Sequence, residues 1–288
     1  MNPQQIAILR WYSANLATQI PVGKSPYDVA FDGENIWVAN SSSNNVTKLR
    51  ASDCAILGNF PVGNGPLALA FDGANIWVAN HNSNNVTKLR ASDGTIVNNF
   101  NVGTDPAGVA FDGANIWVVN HLDNNVTKLR GSDGATLGTF AVGGQPEGIA
   151  FDGANIWVAN TTTNNVTKLL ASSGAALSTF PVGNFPCALV FDGSNIWVAN
   201  ASDNTVTKLK GDGVSLGVFA VGGEPFGLAF DGSYIWVANS TTANVTKLRA
   251  SDGASLGTFP VGSFPTAVAF DGANLWVTNE SSNTVSKL

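Results

Sequence analysis

The sequence predicts an all-β fold, a single seven-bladed β-propeller of four-stranded antiparallel blades. Three observations carry this. Phe-Asp-Gly recurs at Phe31, Phe71, Phe111, Phe151, Phe191, Phe230 and Phe270, spaced by 40 residues with one interval of 39. A fixed period of about 40 marks a solenoid, a propeller or an array. Each unit divides into four short runs rich in Val, Ile, Phe, Trp and Thr, separated by Gly, Asn, Asp, Ser and Pro, which is the arithmetic of a propeller blade. The two ends are also complementary: residues 16–22 read as a fourth strand, and the last repeat supplies only three.

In the second unit, strand a runs from Pro66 to Asp72 and strand b from Asn75 to Asn80. Strand c runs from Asn85 to Arg90 and strand d from Ile96 to Val102. Asp72-Gly73 is a tight-turn signal between a and b. Pro21-Val22-Gly23 matches Pro61-Val62-Gly63, so an N-terminal strand d is expected to join the C-terminal strands a, b and c and close the ring. Closure leaves no open seam of unpaired backbone. Two segments compete for the final strand c, residues 6–10 and 285–288. The second is expected there because it continues the hairpin from strand b, leaving residues 1–15 partly as a tail.

Seven of the 8 Trp occupy one slot of strand b, among them Trp37 and Trp276. Repetition within the most regular strand points to packing between blades. Arg50 with Asp53, Arg90 with Asp93, Arg130 with Asp133 and Arg249 with Asp252 read as turn ion pairs. Both partners change together to Leu170 and Ser173. Lys48 and its equivalents on strand c are expected to be solvated stems lying over apolar surface.

Composition limits the function. The chain has 288 residues, 44% hydrophobic and 12% charged, with a net charge of −6. That balance gives no basic footprint for nucleic acid or an anionic membrane, and no apolar run is long enough to span a bilayer. Cys54 and Cys187 stand in different slots of different repeats and are expected to be free thiols. With no signal-peptide pattern in residues 1–19, the expectation is a cytoplasmic monomer.

Pro106 to Asn120 (Pro-Ala-Gly-Val-Ala-Phe-Asp-Gly-Ala-Asn-Ile-Trp-Val-Val-Asn) resembles the repeats of NHL and YVTN-type propellers, and is similar to those of streptogramin lyase-like propellers. The resemblance covers nearly the whole chain. It implies the fold but leaves function open, because these families include binding modules, scaffolds and a few enzymes. The lyase-like relatives rely on His and Glu around a metal, and that set does not map onto positions of this chain.

The repeats differ mainly in the d–a loops with the start of strand a, and in the b–c loops. Strand alternation brings both onto one face of the ring, and loops on a rigid scaffold are where binding concentrates. The candidate ligand-binding residues on this face are Tyr27, Asp28, Asp105, Glu147, Phe185, Glu224, Phe226 and Phe264. The aromatics suit a peptide, a sugar or another apolar-faced ligand, or fold inward and plug the channel. The carboxylates make the rim acidic. Asp28 occupies a slot otherwise held by Ala or Gly, so it must meet channel water or a partner.

No nucleophile elbow, phosphate loop or dinucleotide fingerprint is present. His81 and His121 sit at equivalent b–c slots and are thin candidates for a metal. The expectation is therefore a non-enzymatic recognition module without a cofactor, with a protein or peptide partner. The alternatives are a carbohydrate-binding propeller with repeated inter-blade sites, and a metal-dependent lyase-like enzyme using His81 and His121.

Overall fold

The structure is a computed structural model that describes residues 18–288. Seven four-stranded antiparallel sheets form seven blades. Their a strands are Pro26–Phe31, Pro66–Phe71, Pro106–Phe111, Pro146–Phe151, Pro186–Phe191, Pro225–Phe230 and Pro265–Phe270. Each lies beside the a strand of the next blade, and that of blade 7 beside that of blade 1, so the ring closes. Among the described residues no helix is long and apolar enough to cross a membrane.

Blade 7 closes as the sequence predicts. Strands Pro265–Phe270, Leu275–Asn279 and Thr284–Lys287 are completed by Thr18–Pro21, which pairs Thr18 with Lys287 and Ile20 with Val285. The C-terminal copy of strand c is the one used; residues 6–10 lie outside the described residues.

The core is a series of blade-to-blade contacts. Trp77, Val86 and Phe100 of blade 2 pack on Ile116, Val118 and Leu129 of blade 3. The equivalent cluster of Ile20, Trp276 and Val285 on Val29, Ile36 and Leu49 joins blade 7 to blade 1. Six of the seven repeated Trp have no exposed surface. Each carries its indole N–H to the aspartate of its own Phe-Asp-Gly, as from Trp77 Nε1 to Asp72 at 2.7 Å. The other carboxylate oxygen of Asp72 accepts the amides of Ala74 and Asn75 at 2.9 and 2.6 Å, which builds the a–b turn. Burial alone would raise the Asp72 carboxyl, but the indole and the turn amides outweigh it and hold it below its ordinary value.

The strand-c lysines contradict their expected role. Lys48, Lys88, Lys128 and Lys208 are buried, each about 6% exposed or less. Lys88 stands opposite Trp77 in the b–c register, with its ammonium 4.7 Å from the ring centroid. It donates to the carbonyl of Gly131, the first residue of the c–d turn in blade 3, at 2.7 Å. The same bond runs from Lys48 to Ala91, from Lys128 to Ala171, from Lys168 to Gly211 and from Lys208 to Ala250. Lys287 to Ala51, also 2.7 Å, carries it across the closure. A buried ammonium needs acceptors, and the neighbouring turn supplies one. Lys247 differs. It lies over the rings of Tyr234 and Trp236 and has no turn acceptor among the described residues.

The turn pairs are observed as expected, for example Arg130–Asp133 at 2.8 Å. They are about half exposed, which limits each to ~0–1 kcal/mol. The turn glycines have a second cause beyond their positive φ. A Cβ on Gly94 (φ +75°) would fall 2.1 Å from the Phe60 ring of the preceding blade. Only the turn of blade 1 holds a larger residue, Cys54 (φ 63°), and there the facing strand d carries Ile20 in place of Phe. Both cysteines are free.

Replacing Lys88 by Met keeps the stem but strands the Gly131 carbonyl. Lys88→Met is expected to cost about 1–3 kcal/mol, whereas Lys247→Met loses only ring contacts, worth less than about 1 kcal/mol. Denaturant midpoints of the two variants measured side by side test this ordering.

Candidate functional site

The d–a and b–c loops share one face, and a repeated set of bonds fixes them. In each d–a loop the residue before Pro is left-handed: Ser25, Gly65, Asp105, Gln145, Phe185, Glu224 and Phe264, with φ between 46° and 64°. In six of the seven its amide donates to the Asn side chain that ends the b–c turn of the preceding blade, as from Phe185 to Asn164 Oδ1 at 3.0 Å; before Phe264 that slot holds Ala243. Its carbonyl accepts the first amide of the following b–c loop, as from Ala201 to Phe185 at 2.9 Å. Apart from the Phe264 amide, both backbone groups are thus held by neighbours, whatever the side chain.

One residue earlier, the amide is capped by the third b–c residue. Lys24 donates to Ser43 Oγ at 2.7 Å, and Thr104 to Asp123 at 2.7 Å. This slot reads Ser43, Ser83, Asp123, Thr163, Asp203, Thr242 and Ser282. Only short oxygen acceptors occur, so its variation is a structural choice among equivalents. The freely variable part of the face is correspondingly smaller than the sequence suggests.

The sequence-predicted residues separate into two groups. Tyr27, Asp28, Glu147 and Phe226 line the central channel, a cavity of about 180 Å3. Asp105, Phe185, Glu224 and Phe264 occupy the left-handed rim slots and do not line it. Phe185 and Phe264 are 41% and 36% exposed. Tyr27 and Phe226 instead turn inward and meet edge to face at 5.7 Å between centroids.

The two channel carboxylates differ in their surroundings. Asp28 accepts its partners from the backbone, the amides of Leu69 at 2.7 Å and Val29 at 2.8 Å. Burial raises its carboxyl to about 6, against the opposing pull of those two amides. Glu147, first after the Pro of blade 4, has no such support among the described residues. Burial, then the charge of Asp105, push it up to about 8. Tyr27 and Cys187 are moved well above their ordinary values by burial and, next, by Glu147, so both stay neutral.

The two histidines are engaged separately. His81 Nδ1 meets the Asp105 carboxylate. His121 Nδ1 lies 3.1 Å from the Pro146 carbonyl, which can only accept, so this nitrogen carries the proton. Among the described residues no group of three or more His, Cys, Asp or Glu is placed to hold a metal.

No family model and no curated protein matches the chain. Solved structures do. Hydrazine synthase of Kuenenia stuttgartiensis is similar at 20% identity and a TM-score of 0.82, over 94% of this chain and 97% of that one. A streptogramin B lyase matches at 16% identity and a TM-score of 0.81, over 94% and 96%. A catalytically inactive virginiamycin B lyase from Staphylococcus aureus with quinupristin matches at 15% identity and a TM-score of 0.82, over 94% and 98%. At these identities the likeness is one of fold.

Two outcomes follow for stability. Ala243 (φ 51°) fills the slot of the capping Asn in blade 6, and no Asn side chain is there to accept the Phe264 amide. Ala243→Asn should add about 0.5–1.5 kcal/mol, read from the denaturant midpoint. Glu147 keeps its proton to about pH 8 when folded but loses it near its ordinary value of 4.5 when unfolded. Folding therefore takes up a proton between those values, and stability falls as pH rises through that window. Glu147→Gln should remove this slope and stabilise by on the order of 1–3 kcal/mol at neutral pH. Its advantage should vanish below about pH 4, as urea melts across the range will test.

Proposed function

We propose that this chain is a non-enzymatic recognition module that binds a protein or peptide segment on the face carrying the d–a and b–c loops. One observation carries the reading: the left-handed rim slot. An L-residue there costs roughly 1–2 kcal/mol relative to ordinary backbone, and Gly relieves the strain. Yet only Gly65 is glycine, while Gln145, Phe185, Glu224 and Phe264 accept it. Strain kept at an exposed side chain points to a use for that side chain. Phe185 and Phe264 supply apolar area, and Asp105 and Glu224 give the rim its carboxylates. A segment that combines basic and apolar residues is the complementary ligand.

Carbohydrate binding is favoured by one observation of its own. Equivalent grooves recur between blades on the opposite face, one beside Asp32, Asn35 and Lys48 and another beside Asp112, Asn115 and Lys128. The buried Trp do not reach those grooves as stacking platforms.

The test is binding to an array of defined acidic, neutral and basic peptides, with a glycan array beside it. Basic, aromatic-containing peptides are expected to bind. The Phe185→Ala, Phe264→Ala double variant should lose about tenfold or more in affinity while its unfolding midpoint stays in place, because both rings are exposed. Replacing the same two residues by Gly should weaken binding equally and raise stability by about 1 kcal/mol per site. Unchanged peptide affinity in both variants overturns the reading, and glycan binding without peptide binding transfers the function to the inter-blade grooves.

A further inference from the structure

The ring slot that follows the conserved-position Pro of each blade holds Tyr27, Leu67, Ala107, Glu147, Cys187, Phe226 and Thr266. All seven line the channel, on the side of the loop face. Of these, Tyr27 is neutral at ordinary pH, and Cys187 directs its thiol to the Pro225 carbonyl at 3.3 Å. Thr266 donates to the Tyr27 carbonyl at 2.8 Å. Glu147 is half-buried on the channel wall, and no donor reaches its carboxylate among the described residues. Among the described residues no lysine or arginine lines the channel either. The second channel carboxylate, Asp28, is already satisfied by two amides. The cavity thus presents one unpartnered carboxylate, a second negative group deeper along the same strand layer, and the edge-to-face pair of Tyr27 and Phe226.

A half-buried carboxylate with no protein donor gains when a cation joins it. Aromatic walls add to the attraction for a positive group. The volume of about 180 Å3 is room for about six waters at ~30 Å3 each, enough for a short alkyl chain with a charged head. We propose that the central channel is a binding site for an alkylammonium group, entered from the loop face and anchored by Glu147 against Tyr27 and Phe226. The inference rests on the reading of this face as a recognition surface and names the group its ligand inserts.

Binding has a proton cost that gives it a signature. In the empty channel Glu147 is held up to about 8 by burial and by Asp105. A cation favours the carboxylate, so its arrival displaces the Glu147 proton to solvent. Affinity should then rise about tenfold per pH unit up to about pH 8 and level off above it. The groups facing Glu147 are Asp105, which is paired with His81, together with Cys187 and Tyr27. Asp28 lies in the channel, Glu280 acts on Tyr27, and His121 is bonded to the adjacent Pro146 carbonyl. Tyr27 and Cys187 stay protonated across this range. Asp28 is raised to about 6, so its titration would place the bend two units lower.

The experiment is calorimetric titration with n-butylammonium, tetramethylammonium and guanidinium from about pH 6 to about pH 9, with n-butanol as the uncharged counterpart. Wild type is expected to bind n-butylammonium with the slope above and to release close to one proton at the low-pH end. Glu147→Gln should lose at least about tenfold in affinity and all of the slope, and Asp28→Asn should keep the slope. Because a variant can repack, the Glu147 carboxyl is also followed by carbon NMR in wild type, where n-butylammonium should lower its titration midpoint.

No binding by any cation, equal binding of n-butanol, or an unmoved Glu147 midpoint overturns the proposal. The Phe185→Ala, Phe264→Ala variant separates the two readings. Peptide binding that depends on those rings while all cations fail removes the channel site alone. Cation binding with no peptide bound leaves the channel site and removes the peptide reading. A lysine-bearing peptide that binds more tightly than n-butylammonium, and weakens in the rim variant, identifies a side chain as the source; equal affinities identify a free amine.

Discussion

The ammonium of a strand-c lysine, in every blade but the sixth, lies inside its own blade but finds its acceptor at the start of the next blade's c–d turn, and the rest of the ring depends on that displacement. The Lys88 ammonium, set over the Trp77 ring, would be an unpaired buried charge without the Gly131 carbonyl. The same is true of Trp77 itself, whose apolar partners Ile116, Val118 and Leu129 belong to blade 3. A blade is therefore not a stable unit alone. Its Lys and its Trp find their partners in the same neighbour, while its Ile, Val and Leu pack on the Trp of the neighbour on the other side. Stability in such arrays resides in the interfaces as much as in the repeats. Lys287, by reaching Ala51, makes the last interface equivalent to the others.

The fold was legible because its causes are local and repeated. Trp, Phe-Asp-Gly and the turn residues each recur at one slot, and the strand boundaries of the second unit, Pro66–Phe71, Asn75–Asn80, Asn85–Arg90 and Ile96–Asn101, fall within a residue of those read from the sequence. The lysines were misread because a charged side chain on a strand ordinarily reaches water. The signal against that was present in the register, since every such Lys stands directly across from a Trp. What no single unit can show is that the next blade holds the acceptor. Cys54 is a related case: it departs from the Gly pattern where Ile20 departs from the Phe pattern, two positions far apart in sequence that face each other across the closure.

The face that carries the candidate residues was legible in outline. The variable face could be named, but not its division into a channel and a rim. That division follows from the irregularity between Pro26 and Asp28 in the first strand pair and its equivalents elsewhere, which brings two successive residues of strand a to the channel wall. Tyr27 and Asp28 consequently both line it, whereas a regular strand would have sent one of them into the blade interface. The rim residues precede the Pro and follow the loop bonds instead. The restriction of Ser43 and its equivalents to short oxygen acceptors was visible in the sequence but gains its meaning only from the amide it caps.

The left-handed rim slot has a consequence for how the ring meets anything larger than itself. A ring of identical blades would offer a ligand seven equivalent rotated poses, a degeneracy worth roughly 1 kcal/mol but without direction. Read around the circle, the slot runs Ser25, Gly65, Asp105, Gln145, Phe185, Glu224, Phe264. Small and polar side chains fill one arc, and the two exposed phenylalanines stand on the other with a glutamate between them. Because neighbours hold the carbonyl at every position and the amide at all but Phe264, exchanging these side chains leaves the frame unaltered. The frame keeps its sevenfold repetition while the rim has a compass bearing, so a segment bound there would have one way to lie.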